Sequence, residues 1–154
     1  MKTAYLCTKV VTAIPMTRAA YNAYRGWNVP SDENPADEGF MLEEQGGAAP
    51  NHLAHKGYIS WSPKEQFEAH HLEIGDIDGL PPYLIRLKCE FAELDSRLTK
   101  LNAFLDSKPQ HLTEVNHTAM VSQLKAMTQL HCALRIRMGE LLGEPKEKSD
   151  DQSN

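Results

Sequence analysis

Cysteines, aromatic rings, basic charge and long apolar runs are all scarce in this 154-residue sequence. Its three cysteines, Cys7, Cys89 and Cys132, are widely spaced and form no CxxC pair. They support neither a disulfide framework nor a cysteine zinc ribbon, and a reducing compartment is the expected setting. No run of 18 apolar residues occurs, so no membrane-spanning helix and no membrane partner are expected. The opening MKTAYLCTKV lacks the apolar stretch of a secretory leader. Lys and Arg number 16 against 21 Asp and Glu, a net charge of -5. That balance argues against a general nucleic-acid binder that works by neutralising phosphates. GxGxxG, Walker, GxSxG and Cys/His nucleophile patterns are all missing, so no motif supports an enzyme and no cofactor is implied.

Charge and pattern divide the chain. Residues 1–80 hold 6 Lys/Arg and 11 Asp/Glu, residues 81–142 hold 8 and 6, and residues 143–154 hold 2 and 4. The last stretch, GEPKEKSDDQSN, has no apolar anchor and is expected to be a disordered tail. Gly79-Leu80-Pro81-Pro82 reads as a linker whose prolines suit the start of a new helix. The expected class is therefore α+β. A small mixed α/β domain over 1–79 precedes an antiparallel helical hairpin over 80–142, and the tail follows.

In the first segment, Tyr5 to Val11 is β-prone, with Leu6, Val10 and Val11 available for a core. Thr17 can cap a short helix through Arg25, ended by Gly26. Trp27 to Glu38, rich in Pro, Asp, Glu and Asn, is a loop. Strands are expected over Gly39 to Glu43 and Gly57 to Trp61. Ser62, Pro63 and Glu65 have the spacing of a capping box with proline in the first helical position.

The second segment is more regular. Leu84, Leu87, Phe91, Leu94, Leu98, Leu101 and Leu105 alternate steps of three and four, which lays one apolar stripe along a helix. Met120, Leu124, Met127, His131, Leu134, Met138 and Leu141 repeat the rhythm, with Pro109 between the two runs. Two helices of about 22 residues, roughly 33 Å each, form a hairpin. Two such helices cannot hide both stripes, so self-association is expected, with Leu87, Phe91, Leu94, Leu98, Met127, Leu134 and Met138 as interface candidates.

Several groups could bear chemistry. Arg18, Tyr21, Tyr24, Arg25 and Trp27 combine flat rings with guanidinium groups, a combination that can stack a base and grip a phosphate. The same residues can equally make a small core and its rim. On the hairpin, Arg86, Arg97, Arg135 and Arg137 could meet an anion at a subunit interface, or serve as solvated flanks such as the Glu93–Arg97 pair. His52, His55, His70 and His71 show no zinc-site spacing and read as solvated or capping histidines. Asp32, Glu33, Asp37 and Glu38 could bind magnesium or act as an acid pair. In a loop they more simply cap turns or pair with Arg18 and Arg25. His131, on the apolar stripe, is expected to be bonded across the helix pair.

The motifs TRxxYNxYRGW, PxDENPADEG and GYISWSPK, within about residues 3–72, resemble a family of small bacteriophage proteins labelled after a gene product of phages N4 and Sf6. Phe40 stands where a tyrosine is usual, and Gln45 precedes the double glycine. The resemblance implies a phage or prophage origin and transfers no catalytic role. Over about residues 80–142, ELDxRLxKLxAFL and the ending LRIRMGELLG resemble the helical-hairpin proteins named after a crAss-like phage product. These are similar, more distantly, to phage proteins that sequester cyclic nucleotide alarm signals between subunits.

Together these readings give a non-enzymatic anti-defence binding protein of the host bacterial cytoplasm. It would be a homo-oligomer that holds a cyclic nucleotide or an ADP-ribose-derived signal. Two alternatives stand beside it. One is an inhibitor or accessory factor that binds a host protein; the other is a nucleotide-processing enzyme using the acidic loop.

Overall fold

The structure is a computed structural model that describes residues 2–5, 7–44, 46–47 and 49–142. The tail expected over 143–154, Leu6 of the expected first strand, and Gln45 lie outside the described residues. The chain divides into two compact units, Met1–His71 and Leu72–Asn154. The architecture is α+β, as the sequence pattern implies: a mixed α/β region followed by an antiparallel pair of helices.

The first unit is built on a three-stranded antiparallel sheet, β1 (Val11–Pro15), β2 (Gly39–Glu44) and β3 (Ile59–Pro63), with β2 in the middle. The register pairs Val11 with Glu44 and Pro15 with Phe40 on one side of β2, and Gly39 with Pro63 and Glu43 with Ile59 on the other. Both edge strands thus end in proline beside the Gly39-Phe40 end of β2. The first strand begins at Val11 rather than Tyr5, a correction to the sequence reading. The ladder pairs Val11 with Glu44, the last residue of β2.

Helix α1 (Arg18–Arg25) is bounded as its sequence dictates. The Thr17 side chain accepts the Ala20 N–H at 3.2 Å, and Gly26 closes the C-terminus at φ 70°, where a Cβ would be strained. Tyr21 of α1 joins Met41 and Ile59 in the buried core of this unit, with Met16 and Trp61 packed against it. Alternation along β2 sends Phe40 to the opposite face. There it meets Phe67 of α2 (Lys64–His70), ring centroids 4.3 Å apart.

The expected capping box at Ser62 does not form. Ser62 is committed to the ladder opposite Phe40, so Pro63, which has no acceptor side chain, takes the cap position. The Lys64 N–H bonds instead to the Glu38 carbonyl at 3.1 Å.

In the second unit, α3 (Pro82–Asp106) and α4 (Glu114–Leu142) have 25 and 29 residues, longer than the 22 expected. Leu84, Leu87 and Leu134 are the buried core, and Leu80, Phe91, Leu94 and Met138 pack around them. Lys108, at φ 48°, and Pro109 lie in the turn between the helices.

Candidate functional site

The five candidates on and after α1 do not converge on one place. Arg18 reaches back to the acidic loop. Its Nη2 donates to Glu33 Oε1 at 2.7 Å, its Nε donates to Glu33 Oε2, and its guanidinium lies 5.1 Å from the Trp61 ring centre. A two-pronged fork of this kind uses the arginine's directional donors.

The rest of the acidic loop is tied down locally. Asn34 Nδ2 donates to Asp37 Oδ1 at 2.7 Å, Lys64 pairs with Glu38 at 3.1 Å, and the Asp37 carbonyl accepts the Arg18 N–H. Glu33, Asp37 and Glu38 thus take separate partners.

Tyr21 is 4% exposed, and its hydroxyl donates to the Ile59 carbonyl at 3.4 Å. Burial pushes its phenol above the ordinary value, partly offset by the neighbouring Arg25 charge. Arg25 stacks on Trp27 at 4.3 Å, and Trp27 also meets the Tyr21 ring edge-on at 6.3 Å. Arg25 Nη1 is buried and has no partner among the described residues. Trp27 itself is 54% exposed, so the outer face of this Arg–Trp stack is open.

Tyr24 belongs to a different cluster. Its ring stacks on His52, centroids 4.7 Å apart, and its hydroxyl is 2.8 Å from His55 Nε2. His55 Nδ1 lies 2.7 Å from Glu43 Oε2, while Glu43 Oε1 accepts the N–H groups of Lys56 and Gly57, each at 2.9 Å. The His55 hydrogen bond, then the Gly57 N–H, hold the Glu43 carboxyl below the ordinary carboxylate range against the opposing effect of burial. Gly57 is required here, because a Cβ would come within 2.0 Å of the Glu44 carbonyl oxygen.

The sequence offered no way to pair Tyr24 with His55. Thirty-one residues separate them, and the strand that carries Glu43 sets the geometry. Among the described residues, no three His, Cys, Asp or Glu side chains gather as metal ligands. His71, for its part, donates from Nδ1 to the Phe67 carbonyl at 2.9 Å and stacks on that ring.

On the hairpin, Arg97 pairs with Glu93 one turn back, and Arg86, Arg135 and Arg137 are exposed. At about 100° per residue, Arg86 and Arg97 share a face of α3, whereas Arg135 and Arg137 diverge by about 200° around α4. Leu98 and Met127 are half-buried along the seam. Tyr83, Val115, Leu130, Ile136 and Leu141 are among the exposed large apolar side chains. Among the described residues, no helix is long and apolar enough to cross a membrane.

Residues 81–140 are similar to the Sequestin family, and the match falls on α3, the turn and nearly all of α4. No curated protein and no solved structure matches.

Proposed function

We propose that this chain is a phage-associated binding protein whose hairpin self-associates and captures a small nucleotide-derived signal of host immunity without consuming it. The observation that carries the reading is the Sequestin match over residues 81–140, a family whose name denotes sequestration.

Two features of the unit support it. Large apolar side chains stand open on both helices, Tyr83 at 53% and Ile136 at 62% exposed, as expected of a hairpin that completes its packing with further copies. The two helices and their turn, residues 81–142, also carry 8 Lys/Arg against 6 Asp/Glu, although Glu73, Asp76 and Asp78 precede them in the same unit. An anion held between copies would find Arg86 and Arg97 on one face of α3, with Arg135 or Arg137 on α4, as its donors. The open Arg25–Trp27 stack is a second place for a nucleotide. The net charge of -2 over residues 1–71, against +2 over 81–142, makes it the weaker of the two.

The test is native mass spectrometry and calorimetry on the full chain with cyclic dinucleotides, cyclic trinucleotides and cyclic ADP-ribose isomers. An oligomer that retains one of these, and releases it intact on denaturation, is the expected result. Arg97→Ala should weaken binding at least tenfold and Arg25→Ala should leave it unchanged. A monomer at micromolar concentration would overturn the assembly. An oligomer that binds none of the panel would transfer the reading to a host-protein target.

A further inference from the structure

We infer that Tyr24, His55 and Glu43 form a proton relay that makes the Tyr24 hydroxyl a nucleophile toward neutral carboxylic esters in the groove beside it. This rests on the first unit alone and is independent of what the hairpin binds.

The proton positions follow from the partners. Glu43 accepts two backbone N–H groups on one oxygen and faces His55 Nδ1 with the other. An ionised carboxylate can only accept, so Nδ1 of the neutral imidazole carries the proton and Nε2 is left with a lone pair. That lone pair lies 2.8 Å from Tyr24 Oη, which therefore donates to it. Hydroxyl, imidazole and carboxylate stand in the order of a general-base triad, with a phenol as the hydroxyl.

Exposure is greatest at the hydroxyl end. The carboxylate and imidazole ends are sheltered, with side-chain exposures of 22% and 11%, while Tyr24 is 40% exposed. An open groove of about 370 Å³ is lined by Pro50, Asn51, His52, Leu53 and His55, and Tyr24 borders it through its contacts with His52 and His55. Asn51 pins this loop to β3 through two bonds to the Ile59 backbone, at 2.8 and 2.9 Å. His52 Nδ1 accepts the Ala54 N–H at 3.3 Å, so its proton sits on Nε2.

Charge selects the substrate class. Residues 1–71 hold 6 Lys/Arg against 8 Asp/Glu, a net of -2, Arg18 is committed to Glu33, and Arg25 lies on Trp27. A phosphodiester would find neither of these arginines free to hold it, whereas a neutral acyl group needs no cation and can rest beside the open Pro50 and Leu53 side chains.

In the first step Tyr24 Oη bonds to the ester carbonyl carbon as its proton passes to His55 Nε2. The carbon–oxygen bond to the alcohol breaks, and the departing alkoxide takes that proton from His55. Water then adds to the acyl-tyrosine, giving its proton to His55. The bond from the acyl carbon to Tyr24 Oη breaks, and the phenolate recovers the proton. Ester and water become acid and alcohol, and a phenolate is a better leaving group than an aliphatic alkoxide.

The experiment treats the full chain with p-nitrophenyl acetate, follows nitrophenolate release, and maps acetylation by peptide mass spectrometry. Acetyl at Tyr24 is expected, with release at least tenfold slower in both Tyr24→Phe and His55→Gln. Tyr24→Phe removes one hydroxyl and keeps the ring on His52, so an unchanged dichroism spectrum separates lost chemistry from lost fold. Equal release by wild type and Tyr24→Phe, or acetylation confined to other residues, overturns the relay. Faster turnover of bis(p-nitrophenyl) phosphate than of the acetate overturns the ester assignment.

Discussion

His131 lies flat on Phe91 across the hairpin, ring centroids 4.5 Å apart and planes at 28°, while its Nε2 is 2.9 Å from Asp95 Oδ1. Phe91 and Asp95 are four residues apart on α3, so one side chain of α4 engages one turn of α3 by both its face and its edge. The Asp95 side chain is 56% exposed, which leaves the ring stack as the larger contribution. His131→Ala should lower stability by about 1–2 kcal/mol. A double-mutant cycle with Phe91→Ala should give a coupling of about 0.5–1.5 kcal/mol. Urea unfolding at a fixed protein concentration measures both, and a coupling near zero would mean that the stack is incidental.

Leu134 sits where the two helices close, 1% exposed among Leu84 and Leu87. Truncation to alanine removes buried apolar surface and leaves a cavity, and should cost about 2–5 kcal/mol. Leu134→Met conserves volume and should cost less than about 1.5 kcal/mol. Thermal melts that rank the two variants in the opposite order would contradict the assigned core.

Gly57→Ala should disrupt the sheet of the first unit. The added methyl would meet backbone, the Glu44 carbonyl oxygen, rather than a side chain that can swing away. A loss of about 1–3 kcal/mol is expected, with the melting of the Trp61 environment as readout. Trp61 packs on that core and donates from Nε1 to the Met16 carbonyl.

Much of this fold is written locally. Thr17 and Gly26 bracket α1 because a hydroxyl and a left-handed residue are what helix ends require, and a three-and-four apolar rhythm leaves α3 and α4 no alternative pattern. What was not legible depends on partners distant in sequence. β1 begins at Val11, opposite Glu44 of β2, although the residues before it are as β-prone. Ser62 carries a capping sequence but is drawn into β3 by Phe40. His55 looked like a solvated histidine, since neither Tyr24 nor Glu43 is near it in the chain. Nothing short of the folded sheet brings the three together.

Acid should loosen the loop that holds His55. Glu43 is depressed below the ordinary 4.5 by the His55 hydrogen bond and then by the Gly57 N–H. A carboxyl whose folded value is depressed adds stability that is fully present above about 4.5 and is lost as pH falls through the lower folded value. The melting temperature of the first unit's transition should therefore drop in that acid window, and Glu43→Gln should flatten the drop. Identical acid profiles for the two proteins would remove this assignment.

The three thiols should differ in reactivity. Burial pushes the Cys89 thiol above its ordinary value, whereas Cys7 and Cys132 are exposed. A thiolate is the reacting species, so iodoacetamide should label Cys89 last. Labelling of Cys89 at the rate of Cys7 would contradict its placement.

Pro15 and Pro63 flank the same end of β2, one at the close of each edge strand. Each edge loses a backbone donor there, and proline's fixed φ discourages continuation of the pairing. The sheet is therefore poorly suited to template another strand at that end. In a cell making this protein in quantity, that limits one route by which identical exposed strands zip together into insoluble fibres.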